Sequence, residues 1–349
     1  MTSSLGAVAV VAGVLLVGRL QDVCSCKRAP PAPGPDAAEQ VLLVGGTPLT
    51  SAGGSASSPV TSVLSLDPRS LLLQEHPRLQ LTVGRSQHVA AAVAGRLVVS
   101  GGARTKVDAD GRRKSVAERS TLVLEPDRAV EKSAPVTDHV VGQAGAAAGS
   151  KLYTCGGLKK TGDGGDYTVS NQCQVYSAED DTWSTLGAEL PEAVFNAGAV
   201  YDGSRLIYVI GGIASGTTLS RQAVSIDVQT GDVRTLANVP LALGRTSAAL
   251  LVASDEPIAC GAGDFGQQPL CFRYSTAANE WTKFPSFPGD DYPAAEVELT
   301  RCAGRLFAFL ASASSGNAGV YQYQTEANEW KLLEGARVED RIGFKTVCL

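Results

Sequence analysis

The chain is expected to fold as an all-β, six-bladed propeller closed by its own C-terminal strand. Three observations lead there: a repeat of 50–56 residues, four short β-runs in each copy, and a first blade that lacks one strand where the chain begins. The repeat is plainest at 206–212, LIYVIGG, an apolar run ending in a glycine pair. Copies read VLLVGG at 41–46, RLVVSGG at 96–102 and KLYTCGG at 151–157. A blurred copy, PIACGAG, stands at 257–263 and a more decayed one, RLFAFLAS, at 305–312. The first glycines or their equivalents fall at 45, 101, 156, 211, 261 and about 311, so the steps are 56, 55, 55, 50 and 50 residues. A period of that length signals a repeat architecture.

Within each copy a small-residue apolar run comes first, as at 88–93, 144–148, 196–200 and 247–252. The glycine-terminated run follows. A third run ends in QVYS (174–177), FRYS (272–275) or YQYQ (321–324), and a fourth opens at Trp183, Trp281 or Trp330. Four runs rich in Val, Ile, Leu and Tyr, separated by Gly, Asp and Asn, make a four-stranded antiparallel blade. The glycines suit strand ends near a crowded centre, where backbones approach closely and φ turns positive.

Gly-Gly followed by Tyr and Trp resembles the Kelch motif. The segment 173–212, CQVYSAEDDTWSTLGAELPEAVFNAGAVYDGSRLIYVIGG, is similar to the Kelch domain of BTB-Kelch adaptors. The resemblance spans about 310 residues and implies a six-bladed Kelch propeller over 40–349. It departs from the pattern where the glycine pairs are damaged in blades five and six, and where the Trp is missing from blades one, two and four. No BTB domain is present, so the chain is expected to hold a target without delivering it to a ligase.

Composition fits one large core: 44% hydrophobic residues and 38 Gly in 349 residues, a length that an all-β chain fills as one domain. Blade one starts at its second strand, and the missing first strand is expected from 341–349, RIGFKTVCL. Closure of that kind removes open sheet edges and favours a monomer. A net charge of −5 argues against nucleic acid as partner.

Residues 1–25 contain an unbroken run of 14 small apolar residues at 5–18, followed by Arg19. That is shorter than a spanning helix and fits a signal-peptide core, with Val23 and Ser25 at −3 and −1 of a cleavage site. Basic residues follow the run and none precedes it, so a retained segment would face the propeller to the cytosol. Cys24 and Cys26 would then be juxtamembrane palmitoylation candidates. The segment favours the secretory pathway or an extracellular location, with a cytosol-facing anchor or an unprocessed intracellular start as the alternatives. Residues 26–39 are a Pro-rich linker.

Cys155 and Cys173 occupy the same two positions in blade three as Cys260 and Cys271 in blade five. Facing positions on adjacent strands allow disulfides 155–173 and 260–271 in an oxidising compartment, or two pairs of reduced core thiols otherwise. Cys302 and Cys348 lie on first strands of different blades and are expected to stay unpaired.

The loops at 103–119 and 158–172 are long and charged, with Arg104 and Lys159 as candidate rim contacts. Arg85, Arg245 and Arg341 each stand just before a first strand, in GRSQH, GRTSA and DRIGF. By the resemblance, arginines at such a place meet acidic peptides around the channel mouth, where the guanidinium fork suits carboxylates. Hydrogen bonding to backbone carbonyls between blades is the competing role for the same three.

Enzyme readings are weak. Three His, at 76, 88 and 139, leave little for a metal centre, and a copper radical oxidase on this fold needs more ligands than the chain offers. No G-x-S-x-G, HExxH, P-loop or EF-hand pattern occurs, and DGGD at 163–166 lacks the further ligands of a calcium loop. No cofactor is expected. The expected function is therefore protein or peptide binding, with an acidic ligand favoured. The alternative is a secreted carbohydrate-active enzyme of the sialic-acid mutarotase type, using Arg341 with Glu339 or Asp340.

Overall fold

The computed structural model describes residues 39–48, 57–125, 128–132, 138, 140–160, 166–263, 268–288, 296–311, 319–336, 338 and 341–349. The hydrophobic segment 1–25, nearly all of the Pro-rich linker, His139, Glu339, Asp340 and Asp163 lie outside the described residues. Among those described there is no helix, and β-structure accounts for every regular element.

Six four-stranded antiparallel sheets form the blades. Their inner strands are Lys345–Cys348, Val89–Val93, Ala144–Ala148, Gly198–Tyr201, Gly244–Leu250 and Glu296–Cys302, for blades one to six. Each packs beside the next, and blade six returns to blade one. The strand that completes blade one comes from the C-terminus: Lys345–Cys348 pairs with Val41–Val44, placing Val44 opposite Lys345 and Val41 opposite Cys348. The run 341–349 is not one strand, however. Arg341–Ile342 pairs first with Thr47–Pro48, and the chain turns at Gly343 before joining the blade.

The glycine pairs stitch blades together. Gly101 and Gly102 hold φ of +69° and +94°, and a Cβ on Gly101 would lie 2.4 Å from the Val140 carbonyl oxygen. The Gly102 N–H donates to that same oxygen at 2.8 Å, joining blade two to the segment entering blade three. Only glycine tolerates both the conformation and the approach. Where the pair has decayed, the second strand runs on: Pro257–Ala262 in blade five and Arg305–Ala311 in blade six.

Tyr and Trp act together in blades three, five and six. Tyr176 faces Trp183, Tyr274 faces Trp281 and Tyr323 faces Trp330, with ring centroids 5.4, 5.0 and 5.4 Å apart. The tyrosine hydroxyls donate to Asp181, Asn279 and Asn328, which sit in the left-handed turn at φ of +53°, +55° and +53°. The indole N–H groups reach back to Thr121, Ala237 and Pro285, tying each blade to what precedes it.

Three disulfides are formed. Cys155–Cys173 and Cys260–Cys271 join directly opposed residues of neighbouring strands, with Cα atoms 4.1 Å apart in both. The expectation that Cys302 and Cys348 stay unpaired is corrected, because they form the third bond, Cα to Cα 5.3 Å. Blades six and one are far apart in sequence but adjacent in the ring, so the ends of their inner strands abut.

Candidate binding surface and central channel

The loops after the glycine pairs and the segments entering each blade gather on one face. At five blade entries the same residue takes a left-handed φ: Gln87, Gly142, Asn196, Arg245 and Gly343, between +47° and +68°. Backbone bonds link them in sequence around the channel mouth. Gln87 N–H donates to Gly343 O (2.7 Å), Gly142 N–H to Gln87 O (2.8 Å) and Asn196 N–H to Gly142 O (2.6 Å). Thr246 N–H then donates to Asn196 O (2.9 Å).

This ring separates the three arginines. Arg85 and Arg341 stand two residues before it, with Val140, Val194 and Leu243 as their counterparts, whereas Arg245 is a member of it. Arg85 and Arg341 are 0% and 1% exposed. Arg85 donates to Gly101 O (3.2 Å), Ser120 O (3.0 Å) and Ser120 Oγ (3.0 Å). Arg341 donates to Gly45 O (3.2 Å) and Ser62 Oγ (3.3 Å). Each guanidinium thus closes the glycine turn of the blade it enters, and burial removes both from the rim. The same bonds engage the arginine expected for a sugar-binding pocket with Glu339 or Asp340. Arg245 is half-buried and borders the channel.

Two hairpins rise from the rim. Ala103–Val107 pairs with Arg113–Ala117 in blade two, and Leu158–Lys160 with Tyr167–Val169 in blade three, and the two lie side by side. Arg104 is paired with Glu118 at 2.8 Å. Lys159 reaches Asp138 at 2.9 Å, and Asp138 also holds Arg119 at 2.7 Å, bridging the hairpin bases. Towards the tip, Lys106, Arg112, Arg113 and Lys114 are all exposed. Lys106 stands directly across from Lys114, which reaches Asp108 at 3.6 Å. Val107 and Tyr167, 58% and 50% exposed, lie among these cations and on the neighbouring hairpin.

Inside the mouth lies a polar chamber that the sequence reading missed. Glu296 and Glu298 enter from the inner strand of blade six, Lys345 from blade one, and Gln143 from blade three. Both Glu296 oxygens accept the Gly343 N–H, at 2.9 and 2.8 Å, which joins blade six to the ring. Lys345 Nζ donates to Glu298 Oε1 at 2.5 Å, and Ser247 Oγ donates to Oε2 at 3.3 Å. Burial pushes the Glu298 carboxyl up to about 7; Lys345 opposes this and Glu296 adds to it. For Lys345 burial acts downward, but Glu298 and Glu296 outweigh it and hold the ammonium above its ordinary value. His88, wholly buried nearby, is driven well below its ordinary value by burial, then by Arg85 and Lys345. The signal for this chamber was present in EVELT at 296–300, where two carboxylates alternate on a strand whose counterparts carry Ala and Gly.

The chamber measures about 20 Å³ at the mouth and about 80 Å³ below it. Among the described residues one group could ligate a metal, Glu39 with Cys302 and Cys348, and its sulfurs are joined in the disulfide. The chain matches no protein-family model and no curated protein.

Proposed function

We propose that the chain is a Kelch-type propeller whose hairpin-bearing face binds an acidic stretch of a protein or peptide. The observation that carries this reading is the blade-two hairpin, where Lys106 and Lys114 oppose each other and Arg112 and Arg113 stand exposed beside them. Like charges directly across a strand pair are unfavourable, and bound carboxylates relieve them. Local field rather than the net charge of −5 governs such attraction. Val107 and Tyr167 supply apolar contact beside the charge. Three disulfides suit a protein working in an oxidising compartment, hence an exported one.

On this reading the protein is a binding module, not an enzyme. The polar chamber, at about 20 and 80 Å³, has room for waters, each needing about 10–15 Å³, and the wider part of the channel, about 310 Å³, is lined chiefly by Ala, Val and Leu with no carboxylate among the described residues to pair with an arginine on a sugar acid. The test is fluorescence anisotropy with a labelled peptide containing a run of Glu, beside the same peptide with Gln for Glu. Affinity for the Glu peptide should fall with salt. It should drop at least about tenfold in the K106E/R112E/R113E/K114E variant, since each exposed contact contributes under about 1 kcal/mol and four act together. Equal binding of both peptides, or an unchanged affinity in the variant, would overturn the reading.

A further inference from the structure

The blade-two hairpin is a ribbon of two strands with an open outer edge. Ala103 N–H donates to Ser86 O at 2.8 Å and Ser86 N–H donates to Ala103 O at 2.9 Å, on the side of the strand away from Arg113–Ala117. Gly102 and Asp108 face the other way: Gly102 O accepts the Glu118 N–H at 2.8 Å, and Asp108 N–H donates to Arg112 O at 3.0 Å. Backbone groups alternate sides along an antiparallel strand. Thr105 and Val107 therefore direct their N–H and C=O groups outward, in line with Ala103. No described residue bonds to those outward groups. Val107 is 58% exposed and Lys106 beside it is exposed too, so the edge is open to solvent.

Side chains alternate along the same strand. Lys106 shares one face of the ribbon with Arg104 and Lys114, whereas Thr105 and Val107 share the other with Ser115 and Arg113. Arg104 is held by Glu118 and Lys114 by Asp108, but no carboxylate among the described residues pairs with Lys106. A lysine on an open edge repels an unselected apolar strand. The same charge attracts a strand that places a carboxylate directly beside it. Val107 on the opposite face offers apolar contact to the residues in between. We propose that the partner adds as a third strand along Ala103–Val107, its acidic side chains alternating with aliphatic ones. The carboxylates lie on the Lys106 face, the aliphatic groups lie on the Val107 face, and the main chain bonds to Thr105 and Val107. This rests on the acidic-ligand reading above and adds to it the conformation and the sequence pattern of the ligand.

The test is fluorescence anisotropy of the full chain with two labelled peptides of identical composition, an alternating Glu-Val peptide and a block isomer with its Glu residues first and its Val residues last. The alternating peptide should bind at least about tenfold more tightly, because only it sets every carboxylate on the Lys106 face while its amides meet the edge. N-methylation of one alternate set of its amides should abolish binding and methylation of the other set should not, since one set alone faces the ribbon. Val107→Pro removes an outward N–H and leaves the bonds between the two strands in place, so it should bring the alternating peptide down to the block isomer. Equal affinity for the two peptides, with both lost in the K106E/R112E/R113E/K114E variant, overturns strand addition and leaves the acidic-ligand reading standing. Equal effects of the two methylation patterns also overturn it, and that measurement uses the unaltered protein, so it decides where Val107→Pro disturbs the hairpin. No binding of either peptide overturns both readings together.

Discussion

Cys302 and Cys348 are bonded across the seam of the ring, tying the last residue of the blade-six inner strand to that of the strand completing blade one. Closure therefore rests on backbone pairing, Lys345–Cys348 with Val41–Val44 and Arg341–Ile342 with Thr47–Pro48, and independently on this cross-link. The three disulfides span 46, 18 and 11 residues, for Cys302–Cys348, Cys155–Cys173 and Cys260–Cys271. Loop-closure entropy scales with the logarithm of that span, giving about 4, 3 and 3 kcal/mol. Replacing Cys302 and Cys348 by Ser should cost the most of the three pairs in urea unfolding, about 2–4 kcal/mol. A larger loss from the Cys260/Cys271 pair would contradict the closure argument.

The repeat, the terminal closure and the two in-blade cysteine pairs were legible because each is a matter of equivalent positions along one period. Cys302–Cys348 was not, since its partners become neighbours only once the ring is closed. The arginines show a subtler limit. GRSQH and GRTSA look equivalent, yet the pairing of Gly244–Leu250 with Pro257–Ala262 is irregular between Gly244 and Ser247. That shift carries Arg245 two residues further along the entry than Arg85. Periodicity locates the strand but not a local slip of this size, and the slip decides whether a guanidinium is buried or borders the channel.

His88 illustrates a polar group without a polar role. It is fully buried, and neither ring nitrogen has a hydrogen-bond partner among the described residues. Phe344 holds the corresponding place in blade one, beneath Gly46 as His88 lies beneath Gly102. Removing the unpaired nitrogens offsets the cost of a slightly larger ring. His88→Phe should leave unfolding free energy within about 1 kcal/mol of the original. A loss well beyond that in a denaturant melt would show that the imidazole is bonded.

Glu298 sets a pH dependence of stability. Its carboxyl is raised from 4.5 to about 7 in the folded chain, chiefly by burial. Between those values the folded state holds a proton that the unfolded state has released, so stability falls as pH rises through that window and then levels. Lys345, held above 10.5, contributes no slope until more alkaline pH. Glu298→Gln should flatten the decline between pH 4.5 and 7 in melts taken across that range. A decline equally steep in the variant would assign it to other groups.

Arg341 separates scaffold from binding surface. Its guanidinium is buried and donates to Gly45 O and Ser62 Oγ, so Arg341→Ala leaves two interior acceptors unpaired beside a void. Losses of that type run to about 2–4 kcal/mol. Arg341→Lys should recover only part, because an ammonium cannot reproduce the planar fork. Exposed Arg113, by contrast, should tolerate reversal to Glu with a change within about 0.5 kcal/mol. Thermal melts and anisotropy with the Glu peptide, run on both variants, give the comparison. Arg341→Ala should melt early while its folded fraction still binds, and Arg113→Glu should melt normally and bind weakly. If Arg341→Ala melts normally and loses the peptide, the buried arginine belongs to the binding site and the division drawn here between entry arginines and hairpin cations fails.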